Sequence, residues 1–124
     1  MMTTYRTVQG IRNNMVNLQQ ALRSAFLADS TNEMGRHATE AMAIVDEMLR
    51  TLRTDESGSD AGEGDQADQT LLQSAERALT QAWDRAEKVT LATSLPEMRE
   101  RLLDFKTLAD FADAYVSAAL GTAP

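Results

Sequence analysis

Apolar residues recur at alternating intervals of four and three in four separate stretches of this chain. The pattern breaks once, across the acidic, glycine-bearing run from Thr54 to Asp68. Alternating steps of four and three follow two turns of an α-helix, so each stretch is predicted to be a helix with one seam turned toward a partner. The first seam is Val8, Ile11, Met15, Leu18, Leu22 and Ala25, in a helix expected from about Thr4 to Ala28. The second is Met34, Ala38, Ala41, Val45, Met48 and Leu52, widened by Met42 and Leu49 toward the broad face of a bundle helix. The third is Leu72, Ala75, Leu79, Ala82, Ala86 and Val89, flanked by Leu71 and Trp83. The fourth is Leu95, Met98, Leu102, Phe105, Ala109, Ala112, Val116 and Ala119, ending near Gly121 and Pro124.

The helix starts have their own signals. Ser30 precedes Glu33 by three residues, and Ser94 precedes Glu97 by the same step with Pro96 in the first turn. That spacing is a capping box, in which the hydroxyl and the carboxylate each satisfy an unpaired backbone N–H, and an early proline has no N–H to lose. Both boxes lie just past the end of the preceding helix, so each pair of helices reads as an antiparallel hairpin. Between the hairpins, Thr54 to Asp68 has three glycines, six acids and no base. It cannot bury enough apolar surface to offset the entropy of ordering it, and is expected to be a flexible linker.

The expected architecture is therefore all-α: an antiparallel four-helix bundle made of helical hairpins 4–53 and 69–120, joined by the acidic linker 54–68, in one domain spanning 1–124. A lone hairpin lies below the roughly 70 residues at which a single core begins to suffice, so the halves must pack together, within one chain or between two.

Composition narrows the function classes. With no cysteine, thiol catalysis, thiolate metal sites and disulfides are all excluded. The apolar runs are too short for a membrane span, and the start, Met1 to Arg6, lacks the apolar core of a secretory signal, so the cytoplasm is the expected location and no membrane partner is expected. The net charge is −7, and the only acid-free basic segment, residues 1 to 28, holds just Arg6, Arg12 and Arg23. Phosphate neutralisation needs clustered cations, so no nucleic-acid partner is expected. An acidic mimic of nucleic acid would need its acids on a rigid face, whereas here they concentrate in the linker.

Three polar constellations invite a chemical reading. Glu33, His37 and Glu40 share one side of the second helix at spacings suited to a metal in di-iron bundles, yet such sites draw ligands from several facing helices. With Ala38, Ala41 and Val45 inward, the two acids face water and His37 sits at the rim. Asp84, Glu87, Glu97 and Glu100 flank the second hairpin's turn, and Glu97-Met98-Arg99-Glu100 resembles a fragment of the acidic, magnesium-holding motif of all-helical nucleotide pyrophosphohydrolases. The likeness covers only those four residues, the acids fall outward, and Arg77, Arg85, Lys88, Arg99 and Arg101 interleave with them as in surface ion pairing. His37 also has Gly35 and Arg36 before it, as a phosphorelay histidine would want, but Glu40 would repel a phosphoryl group. No catalytic, cofactor-binding or metal-ligating residue is assigned.

Two surfaces are expected to bind a protein partner. Leu108, Phe111 and Tyr115 form a second apolar stripe on the fourth helix, which a central helix touching two neighbours would also show. Gln9, Asn13, Asn17 and Gln20 make an almost uncharged amide face on the first helix, where a merely solvated face would more often use Lys and Glu. The reading is a non-enzymatic helical protein-binding module, such as an adaptor, chaperone, inhibitor or regulatory subunit, with a homodimer as its expected assembly. A metal-binding or magnesium-dependent hydrolytic bundle is the alternative, and a structural homo-oligomer that exchanges hairpins is the second.

Overall fold

The computed structural model describes residues 5–57 and 69–121, and within them the side chains of 8–53 and 70–119. They form four helices: α1 (Tyr5–Leu27), α2 (Thr31–Ser57), α3 (Gln69–Leu91) and α4 (Leu95–Gly121). No strand occurs among the described residues. The seams are the core: the six seam residues of α1, of α2 and of α3 are all buried, as are those of α4 apart from Leu95 at its first position, which is half-buried. Phe105 is the largest wholly buried side chain. Burial on this scale, at about 1.5 to 3 kcal/mol for each large side chain, is what holds the hairpins together.

The helices form a ring in chain order. α1 packs on α2 and α4, α3 packs on α2 and α4, and α2 touches α4 more lightly across the diagonal. Their directions alternate. Three residues join α1 to α2 and three join α3 to α4, and both turns lie at one end, where Gly35 in the first turn of α2 lies beside Met98 in the first turn of α4. Toward the opposite end Arg53, late in α2, reaches Glu76 in the first half of α3 and Thr80 at its middle. Contact is most extensive between α3 and α4. The buried positions of this pair are rich in alanine (Ala75, Ala78, Ala82, Ala86, Ala109, Ala112, Ala119), short side chains that let two helix backbones approach closely.

Both predicted caps form by their hydroxyl half. The N–H of Glu33 donates to Ser30 Oγ at 3.2 Å, and that of Glu97 to Ser94 Oγ at 3.4 Å. Glu97's carboxylate goes forward to Arg101 at 2.7 Å. The linker expected over 54–68 starts later than the composition suggested, because α2 continues through Thr54, Asp55, Glu56 and Ser57. Extending a formed helix adds one hydrogen bond for each residue fixed, so α2 continues past Leu52, the last buried residue among its described side chains. The rest of the expected linker, 58–68, lies outside the described residues.

Candidate functional site

Leu108 and Tyr115 on α4 are half-buried against the core, while Phe111 between them stays 54% exposed. Phe111 is six residues from the core's Phe105, a separation that turns its side chain about 120° around the helix and out of the seam. The stripe forms one wall of a groove of about 280 Å³, and α3 forms the other with Ser74, Arg77 and Gln81. An aromatic pair, a leucine, a guanidinium and an amide thus converge on one concavity, the residue types that anchor protein interfaces. α4 packs on α3 and α1 and touches α2 only lightly, and Phe111 stays in water.

Gln9, Asn13, Asn17 and Gln20 are all exposed on the outward side of α1. The two predicted surfaces do not merge. α1 meets α4 along a different edge, where the amide of Gln19 donates to Asp110 Oδ1 at 3.0 Å and Lys106 pairs with Asp110 at 2.7 Å. Those side chains stand between the amide face and the aromatic stripe.

A second groove, of about 510 Å³, runs between α1 and α4 and was not visible in the seams. Its walls include Val16, Phe26, Leu27 and the stem of Lys106, and Val16 and Leu27 are 54% and 74% exposed. Of the residues expected from sequence to bind a partner, Gln20 alone lines it. The available signal was a second 4-3-4 rhythm on the outward side of α1, masked because most of its positions are polar.

The polar constellations occupy surface positions. Glu33 and Glu40 are exposed, and the side chain of His37 is 20% exposed at the rim of the core, with Nδ1 3.6 Å from Glu40 Oε2 and without a hydrogen-bond partner. At the second hairpin's turn, Asp84 pairs with Lys88 at 3.5 Å and Glu97 with Arg101. The cleft there alternates Arg85, Lys88 and Arg101 with Glu97, Glu100 and Asp104, so its charges neutralise one another along the rim. Among the described residues, no group of three His, Asp or Glu side chains is placed to hold one metal ion. No described helix is long and apolar enough to cross a membrane.

No family model matches this chain, and neither does any curated protein or solved structure with which it was compared, so the surfaces themselves are the guide to function.

Proposed function

We propose that the protein is a non-enzymatic binding module that engages a protein partner through the α3/α4 groove. The observation that carries this reading is Phe111, a large aromatic left more than half exposed between two half-buried neighbours at the mouth of a groove. Filling the groove and covering Phe111 would remove apolar surface from water at about 25 cal/mol per Å², before the costs of association. Arg77 and Gln81 on the opposite wall supply the polar rim that fixes orientation. The outward charges at the hairpin turn belong to solvation and local ion pairing.

The test is partner capture from the native host with wild-type protein, Phe111→Ser, His37→Ala, and a Glu97→Gln, Glu100→Gln double variant, each first checked for intact helicity. Capture should be lost with Phe111→Ser alone. Retention by Phe111→Ser, with loss in either polar variant, would replace the binding-module reading with a metal-binding or hydrolytic one.

A further inference from the structure

The outward side of α1 carries a second heptad-like row: Gln9, Asn13, Val16, Gln20, Arg23 and Leu27, at intervals of four, three, four, three and four, every one exposed. These steps are those by which one helix pairs with another, and the row lies opposite the α1 core seam. It covers about 27 Å of helix axis, close to five turns. Val16 and Leu27 are its apolar members, and the α1/α4 groove runs alongside them.

The charges on α1 itself have one sign. α1 contains no acid from Tyr5 to Leu27. Arg23 and Lys106 line the same groove, and among the described residues neither Arg23 nor the exposed Arg12 has an ion-pair partner. Asp110 is already engaged by Lys106 and Gln19. In a chain of net charge −7, a helix that carries arginines and no acid is the exception.

From this we infer that the α1 face receives an amphipathic helix of a partner protein whose apolar row is flanked by Asp and Glu. The inference rests on the binding-module reading and names the class of partner for a second side of the bundle. Complementary charge selects the occupant. Acids on the incoming helix would meet Arg12 and Arg23, whereas a second copy of α1 would bring only more arginine and amide. The chain's own acidic run leaves α2 and enters α3 at the end opposite the hairpin turns, whereas Arg23 and Leu27 lie toward the turn end. The groove is open along its length, as suits a helix that lies on it.

Two 21-residue peptides test this, each with Leu at both core positions of three heptads. One has Glu and the other Lys at the flanking positions, so that like charge keeps each from pairing with itself. Binding is read by the gain in helicity on mixing and by fluorescence anisotropy at two salt concentrations. The acidic peptide should bind although the protein is itself acidic, and its affinity should fall with salt. Arg23→Glu and Leu27→Ser should each weaken it roughly tenfold or more, while Phe111→Ser leaves it unchanged. Equal binding of the two peptides, or acidic-peptide binding indifferent to Arg23→Glu and Leu27→Ser, overturns the inference. So does sedimentation that shows a wild-type oligomer dissolved by Leu27→Ser, since a second copy would then cover this face. Loss of peptide binding in Phe111→Ser alone would place the peptide in the α3/α4 groove, which ends this inference and leaves the binding-module reading standing. Absence of binding by either peptide, alongside Phe111-dependent capture of a host protein, has the same consequence.

Discussion

Arg101 on α4 donates from Nη1 to the main-chain carbonyl of Lys88 on α3 at 2.9 Å, and so caps the end of the neighbouring helix. The last four carbonyls of any helix lack intrahelical donors, and the partial negative charge there favours a cation. Next to it the Ala92 N–H closes on the Val89 carbonyl in a tighter turn, which leaves Lys88 to the guanidinium. Glu97 holds Arg101 from the other side at 2.7 Å. One side chain therefore ties the start of α4 to the end of α3.

Replacing this arginine with a residue of similar stem but no charge is expected to loosen the second hairpin's turn. Arg101→Met should lower stability by about 1 kcal/mol, below the range for buried charged hydrogen bonds because the side chain is partly exposed. Glu97→Gln, which keeps the cap and weakens only a surface pair, should cost less than about 0.5 kcal/mol. Urea titration of both variants against wild type checks the order; equal losses would mean that the carbonyl contact contributes nothing.

Phe105 and Phe111 separate folding from binding on a single helix. Phe105 is wholly buried, so Phe105→Ala should cost about 3 to 5 kcal/mol through lost transfer energy and the cavity left behind. Phe111→Ser removes a side chain already half in water and should change stability by no more than about 1 kcal/mol. Thermal melts with matched helicity give the comparison. A large loss at Phe111 would show the stripe to be core.

The apolar rhythm made the fold legible because burial alone sets it: Val8 to Ala25 or Leu72 to Val89 can be hidden only along one side of a helix. The ends of elements were less legible. Asp55 and Glu56 look like linker by composition, yet they extend α2 because continuing a helix costs less than starting one. The stripe of Leu108, Phe111 and Tyr115 could be seen in the sequence, but not the wall that faces it, since the period within α4 does not say which neighbour lies on that side. Arg77 and Gln81 enter the groove only through the order of helices around the ring. Val16 and Leu27 escaped for a related reason: singly exposed apolar residues are ordinary, and they gain meaning from Lys106 of a helix far along the chain.

Gly10 and Gly35 lie inside helices, where glycine is less favourable than alanine by up to about 1 kcal/mol. A methyl group at Gly10 would meet nothing within 4 Å, and at Gly35 it would rest on Met98 Cε at 3.8 Å, an ordinary contact. Gly10→Ala and Gly35→Ala are each expected to raise stability by about 0.5 to 1 kcal/mol, and together to raise the melting temperature by several degrees, because sites this far apart add. Calorimetry of the single and double variants measures both the gain and its additivity. A loss at Gly35 would reveal that α2 and α4 pack too closely there to admit a methyl group.

The connection between the hairpins is expected to be replaceable. α2 and α3 lie on adjacent sides of the ring, and Arg53 joins them by reaching Glu76 Oε2 at 3.8 Å and Thr80 Oγ1 at 3.4 Å. The chain between Ser57 and Gln69 joins two neighbouring helices, and the cost of closing a loop changes only slowly with its length. Exchanging residues 58–65 for neutral glycine and serine should leave unfolding cooperative and shift stability by less than about 1 kcal/mol, since the run offers no apolar anchor to lose. Shortening it by four residues should do no more. Arg53→Ala in the shortened chain probes the same junction from the helix side, and should add only the small cost of an exposed pair. A broad, non-cooperative melt after either linker change would show that the acidic run helps to build the fold, and the linker reading would then have to be abandoned.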